Sequence, residues 1–478
     1  DMLVFPYIKR KGHDGSNEEE KEEEELAVAI VSDVTEDPFC PLPLNSWSYN
    51  VGNGLESKEW HRFCRVLDSF TELMEQLLSG NSHSNQQQQQ QQNDIWTRNC
   101  GGAALVAMSD ALEESGGRGT LITTRRPNYG IGALRDREAV TNYGIGSVAE
   151  QKLFTPLQHL VQRSNDAVGM VKDKPAGLFY KKLGEDCAKN RVCLDIVVTS
   201  SSVSVPSTDP KQLKRNANMR EFLDAATLGE LCRVTCGHFK WLRVGNECGV
   251  AVNDNSGDTF TAEQLREELK RSALAYTGSD VVFKLRCSNG VQVKSYSPTL
   301  PVGNLVGDGI VNSAELELSS MHPGTSIAVV LEHKIGGVVD TMNGGSRKGI
   351  DMPMVFFQSA VLYTTKTGQR RVRVSTLGLP TTKVPADIFR SADLGAISTI
   401  FTRGAVSDIE RDGGSLRLAR ENVFKKCVSI LASYRSHTTA RTSPSGQLVL
   451  PESLQLLPLF CLSLRKSRML RHSLPKGV

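Results

Sequence analysis

No apolar run in this chain reaches the eighteen or so residues that a membrane-spanning helix needs. The most apolar stretch, Leu454 to Leu464, is too short and is interrupted by Pro458. No signal-peptide pattern is visible either. Charge of one sign is also scarce: 56 basic against 53 acidic residues leave +3, too little to argue for nucleic acid. The nine histidines show no H-x-x-x-H or other metal-ligand spacing, and no G-x-S-x-G elbow occurs. The eleven cysteines, an odd number, are scattered singly. Cys232 and Cys236 are the closest pair, but no second pair or histidine cluster completes a zinc site. Free thiols in a reducing cytosol are the expectation. Paired carboxylates such as Glu267/Glu268 sit among Arg266, Lys270 and Arg271, as on a solvated helix face. Together these absences leave an enzyme reading with no residues to stand on.

What is present is an ordinary globular composition over 478 residues, enough for two to four domains. The charge is unevenly spread. Glu18 to Glu25 is an acidic run broken only by Lys21, while the last sixty or so residues are rich in Lys and Arg. Residues 9–25, and the Ser/Asn/Gln tract at 81–93 with its seven consecutive glutamines, read as polar insertions without a core to offer. The chain opens on an apolar strand, Met2 to Ile8, which suggests a start inside a domain.

Three composition regimes follow one another. In the first, strands at Met2–Ile8, Leu26–Ser32, Thr120–Thr124 and Val192–Thr199 alternate with helices at Glu59–Leu78, Ala103–Leu112, Phe179–Lys189 and Ala262–Leu274, an α/β pattern. The near-continuous apolar run Val192–Thr199 is of the parallel, doubly covered type. In the second, short strands at Val281–Cys287, Val291–Tyr296, Ala314–Leu318 and Ile327–Leu331 precede a hairpin, a β-sandwich pattern. From Asp387 the period is helical, with Leu416, Ala419, Val423, Cys427, Ile430 and Tyr434 forming one apolar stripe and Pro451 suited to the first turn of a further helix. The domains are therefore expected at 1–275, 276–383 and 384–478.

Two glycine loops invite a phosphate-binding reading and fail it. Asn128-Tyr-Gly-Ile-Gly132, repeated at 142–146, has Arg135 where the third glycine of a dinucleotide fingerprint belongs, and Pro127 just before it. Backbone freedom is the simpler use of those glycines. Gly344 to Lys348 lacks the spacing and following helix of a phosphate loop. His238, near Trp241, is expected to pack against an aromatic ring.

The hairpin is the most informative stretch. Met354 to Pro380 breaks at Thr365-Lys366-Thr367-Gly368, and its return run alternates Arg371, Arg373 and Ser375 with Val372, Val374 and Thr376, one basic face and one apolar. It closely resembles the β-domain hairpin of the cargo-selecting subunit of the COPII vesicle inner coat, the Sec twenty-four family. The resemblance is collinear over most of the chain. It takes in Met2-Leu3-Val4 with Asp37 to Pro43, Gly116-Gly117-Arg118, Pro127 to Glu138, Phe179 to Leu183 through Cys187, Val192 to Val198, Ala386 to Ala405, Ser433-Tyr434-Arg435 and Leu456 to Leu464. It implies a multidomain α+β fold: an N-terminally truncated von Willebrand A-like trunk, a β-sandwich and an all-α helical domain. The family's zinc finger and gelsolin-like domain have no counterpart in this sequence, so no cofactor is implied.

The implied function is binding. Such a subunit reads export signals on the cytosolic tails of cargo proteins and SNAREs, as a cytoplasmic protein peripheral to the anionic membrane of the endoplasmic reticulum. It pairs with a sister coat subunit and, through it, with a Sar-type GTPase. The strand Val281 to Cys287 is similar to the family strand whose basic residues line a pocket for acidic signals, and Lys284 and Arg286 share one face by the period of two. These two are the candidate cargo contacts, although the family favours Arg at the Lys284 position, and bidentate recognition needs Arg. Arg371 and Arg373 are read as structural or membrane-facing. Two other classes stay open: the GTPase-activating sister subunit, and a non-coat von Willebrand A-type binding module whose metal-site strand would lie upstream of residue 1.

Overall fold

The computed structural model describes residues 3–9, 25–31, 58–79, 98–137, 147–163, 174–200, 223–243, 262–275, 278–288, 290–296, 315–333, 354–411, 415–438, 444 and 449–471. The acidic run at 10–24, the glutamine tract, the Asp37–Pro43 turn, the second Asn-Tyr-Gly-Ile-Gly copy and the 344–348 loop lie outside them.

The first strands depart from strict strand–helix alternation. β1 (Leu3–Lys9) and β2 (Glu25–Val31) pair antiparallel with each other, from Leu3 opposite Val31 to Lys9 opposite Glu25, in a sheet of their own. Lys9 and Glu25, read as insertion, are thus strand ends. α1 (Lys58–Ser79) follows as expected.

The α/β unit is built on three parallel strands, β3 (Gly117–Thr123), β4 (Val192–Ser200) and β5 (Phe239–Arg243), in that order. Val192 to Val198 of β4 are all buried, because the central strand is covered on both faces. The covering helices are α2 (Gly101–Ala111), α5 (Lys174–Lys189) and α6 (Ala225–Val234), between which lie the short helices α3 (Val148–Leu153) and α4 (Leu157–Arg163). Leu105, Tyr180, Leu183, Leu228 and Leu231 close the core over Leu194 and Ile196. α5 begins five residues earlier than the apolar spacing indicates, since Pro175 fits a first turn where its missing N–H costs nothing. The loop after β3 uses glycine for its backbone: Gly130 and Gly132 have φ of 72° and 70°. The Tyr180 hydroxyl donates to Gly132 O at 2.9 Å, so this loop packs on α5 and opens no helix.

α7 (Ala262–Ala275) leads into the sandwich. Its larger sheet runs β11–β10–β6–β8, all antiparallel, from β6 (Gly278–Cys287), β8 (Glu315–Met321), β10 (Met354–Thr365) and β11 (Arg370–Pro380). The smaller sheet pairs β7 (Val291–Tyr296) with β9 (Val329–His333). Phe283 and Leu316 from one sheet meet Tyr296, Val293 and Val329 from the other, and the Phe283 and Tyr296 rings stand edge to face at 5.9 Å. The β10–β11 turn is a hydrogen-bonded turn with Gly368 N donating to Thr365 O at 2.9 Å and Gly368 at φ 78°.

The last unit is all helix: α8 (Pro385–Arg390), α9 (Leu394–Arg411), α10 (Leu416–His437) and α11 (Leu457–Lys466). The expected stripe holds, with Leu416, Ala419, Val423 and Cys427 buried and Phe389 edge-on to Tyr434 at 5.2 Å. Ser415 caps α10 by accepting from Leu418 N. The proline reading needs a correction. Pro451 opens only a three-residue 3₁₀ turn, Glu452–Leu454, and it is Pro458 that sits in the first turn of α11. The three units touch through side chains. Ser319 Oγ donates to Ala188 O at 3.4 Å. The Asp280 carboxylate takes Arg191 at 3.1 Å and Arg370 at 2.6 Å. Arg403 of α9 donates to Ser326 O at 2.9 Å.

Candidate binding surface

β6 carries both sequence-predicted site residues on one face. Val281 and Phe283 point into the sandwich core, so the intervening positions face outward. Lys284 stands opposite Ala360 of β10 and Glu315 of β8, and Arg286 opposite Gln358 of β10. The bulge at the Leu362/Thr364 register shift, where Asp280 adopts φ 50°, lies upstream of both and leaves this alternation intact.

Their electrostatic surroundings differ. Lys284 Nζ makes a 2.6 Å ion pair with Glu315 Oε1, so its charge is already matched. Arg286 is exposed, and among the described residues its guanidinium makes no ion pair or hydrogen bond. A ligand carboxylate would therefore meet Arg286 first and would have to displace Glu315 to reach Lys284. Sequence reasoning missed Glu315. The alternation Glu315-Leu316-Glu317-Leu318 marks it as outward-facing, but nothing local places β8 beside β6.

The same outward face continues across the hairpin as an apolar strip. Val372 and Val374 pair with Leu362 and Ala360, and are 64% and 54% exposed. The apolar side of β11 thus faces outward with the cations of β6. Arg371 and Arg373, opposite Tyr363 and Val361, lie on the core side of the sheet at its edge.

Other sequence candidates resolve into structure. The Glu267 and Glu268 carboxylates make i,i+3 ion pairs with Lys270 and Arg271 on α7. His238 does pack against an aromatic ring, but that of His322, tilted 58° with centroids 4.4 Å apart. The described cysteines are free thiols. Burial pushes the Cys187 thiol up to about 11, and raises Cys193 and Cys232 as well, the opposite of an activated nucleophile. Among the described residues no group of three or more His, Cys, Asp or Glu could hold a metal, and no helix is long and apolar enough to cross a membrane.

Comparison with known proteins agrees with this architecture. Residues 278–382 match the Sec23/Sec24 beta-sandwich domain and residues 393–475 the Sec23/Sec24 helical domain. The chain is 29% identical over 370 residues to Protein transport protein SEC24 B of Arabidopsis thaliana, covering 77% of this chain and 27% of that protein. It is 28% identical over 442 residues to human Protein transport protein Sec24A, covering 92% and 32%. It is 27% identical over 477 residues to Protein transport protein sec24 of Aspergillus terreus, covering 98% and 41%. The chain thus spans less than half the length of these relatives. Its fold is similar to that of the human COPII-coat protein Sec24c, with a TM-score of 0.63, 21% identity, and coverage of 94% of this chain and 47% of that one. With both Sec23/Sec24 domain types in sequence and the α/β unit ahead of them, these likenesses support a partial chain of the Sec24 family.

Proposed function

We propose that this chain serves in a COPII coat as a cargo-selecting component, reading acidic export signals on the cytosolic tails of membrane proteins and SNAREs. Binding, not catalysis, is the reading. The names of its curated relatives favour the cargo-selecting side over the GTPase-activating sister subunit. On this reading the partners are the sister subunit in a heterodimer, the Sar-type GTPase indirectly, and the anionic surface of the endoplasmic reticulum. The work divides at 275/276 and 383/384 between an α/β trunk, a sandwich and a helical domain.

One observation carries the cargo site: Lys284 and Arg286 stand side by side on the outward face of β6, with Arg286 exposed opposite Gln358 of β10. An exposed guanidinium offers two parallel donors to a carboxylate. Calorimetric titration of a di-acidic tail peptide is the test. Lys284→Ala with Arg286→Ala should weaken binding about tenfold or more, because charge-assisted hydrogen bonds contribute about 1.5–3 kcal/mol each. Glu315→Gln should strengthen it about two- to fivefold by releasing Lys284 from a partly exposed pair. Unchanged affinity in the double variant rejects the site.

A further inference from the structure

The rings of His238 and His322 meet across the boundary between the α/β unit and the sandwich. His238 lies just before β5, and β4 pins its backbone. Its N–H donates to Asp195 Oδ1 at 2.7 Å, and its carbonyl accepts from Ile196 N at 2.9 Å. His322 opens the β8–β9 turn and organises it. His322 N donates to Thr325 Oγ1 at 3.0 Å, and Thr325 N donates back to His322 O at 2.9 Å. Gly324 N donates to His322 Nδ1 at 3.1 Å. This last bond fixes the tautomer, since a ring nitrogen that accepts an N–H carries no proton of its own. The turn ends on Ser326, whose carbonyl accepts from Arg403 of α9 at 2.9 Å, so it also ties the sandwich to the helical unit.

The surroundings of the two rings are cationic. Arg118 of β3 acts on both rings, and Arg271 of α7 on His238. Arg233 of α6 and Arg403 line, together with both rings, a cavity of about 330 Å³. Two carboxylates face the pair, and both are committed elsewhere. Asp195 accepts from Arg118 Nε and Nη2 and from Ser272 Oγ, while Glu268 pairs with Arg271. Burial, the largest influence on each ring, holds both imidazoles below the ordinary histidine range, for His322 with added repulsion from His238. Both rings are half-buried and border the cavity, so a proton reaches them without unfolding of the chain.

We propose that the His238–His322 contact is a proton-operated latch. With both rings neutral it holds the β8–β9 turn, and through the turn Arg403, against the α/β unit. Protonation sets two like charges side by side among arginines and removes the lone pair that Gly324 N needs, so the turn lets go. The turn is the side that yields, because His238 is pinned by β4. The sign follows from linkage. Histidines held below their unfolded value of roughly 6.5 bind fewer protons folded than unfolded, so their contribution is full above that value and is lost as the pH falls below it. The latch involves neither Lys284 nor Arg286.

The test is hydrogen exchange on the full chain at about pH 7.5 and about pH 5.5, with each amide corrected for its intrinsic rate. The amides of Gly324 and Thr325 should open at least about fivefold more readily at the lower pH, while that of Ile196 should not change. His322→Asn offers an acceptor to Gly324 N and takes up no proton in this range, so its turn should stay equally closed at both pH values. Proton NMR of the ring Cε1–H groups in the parent should show both histidines titrating below roughly 6.5. His238→Gln should move the His322 midpoint upward by removing its charged neighbour. Exchange at Gly324 and Thr325 that ignores pH overturns the proposal. So does equal quickening in His322→Asn, equal quickening at Ile196, or a His322 midpoint that His238→Gln leaves in place. Equal quickening at Ile196 would mean that acid loosens the α/β unit as a whole. If His322→Asn does not fold, the exchange and titration of the parent chain still decide.

Discussion

Asp195 lies in the middle of an apolar strand, 1% exposed, yet it costs the fold little, because its carboxylate is surrounded by donors. Arg118 Nη2 reaches Oδ1 at 2.9 Å while its Nε bonds Oδ2, His238 N donates at 2.7 Å and Ser272 Oγ at 2.8 Å. A buried charge is tolerable when it is paired and its lone pairs are filled. In sequence it is only a polar interruption of a β-strand; its partners come from 77 residues before it and from 43 and 77 residues after it. Glu230 is a second such case. Burial alone would raise its carboxyl, but hydrogen bonds from His159 and Arg233 outweigh burial and hold it at about 2. A depressed carboxylate contributes stability above its unfolded value, roughly 4.3, and that contribution is lost as the pH falls through about 2. Glu230→Gln should therefore cost about 3 kcal/mol at neutral pH and flatten the fall in stability between about pH 4.5 and 2. Urea titrations at several acid pH values measure both effects. A variant whose stability falls as steeply as the parent's over that window would refute the assignment.

The β10–β11 hairpin shows how far an element can be read locally. Its two runs, its break and its alternation of arginine with valine are all visible in sequence, because each depends on neighbours in the chain. Gly368, at φ 78°, has open space around the position a Cβ would take. The cost of Gly368→Ala should therefore be backbone strain alone, about 1 kcal/mol, and Gly368→Asn should cost less, since Asn tolerates this region. Thermal melts of the two variants test the ranking. Which face of the hairpin meets solvent was not legible. Alternation alone would send Val372 and Val374 inward; they face outward because β10 aligns Val361 and Tyr363 with the sandwich core, which fixes the opposite parity for the valines. Phe356 covers part of that outward face, packing over Gly378 directly across the ladder. Arg371 Nη2 bonds Gln369 Oε1 at 2.6 Å within the turn region, and Arg370 is spent on Asp280.

At the scale of the whole molecule, Asp280 of β6 ties its own sandwich together and joins it to the α/β unit. It holds Arg191 of the α/β unit and Arg370 of the hairpin from a left-handed backbone position. Asp280→Asn keeps a residue that accepts this conformation and removes the charge. Global stability should fall by less than about 1 kcal/mol, as for exposed pairs, while hydrogen exchange at the hairpin turn should quicken and that of β4 should not. Unchanged exchange at the hairpin turn would show that Asp280 does not anchor it. The order of α/β, sandwich and helical units follows from periodicity, a local property, and so do the buried strand β4, the stripe of α10 and the outward parity of Lys284 and Arg286. Only the tertiary structure decided that Glu315 neutralises Lys284, that His238 meets His322, and that a cationic cavity opens beside Arg403. Each depends on bringing together segments tens of residues apart, and chain periodicity carries no information about which strands and helices become neighbours.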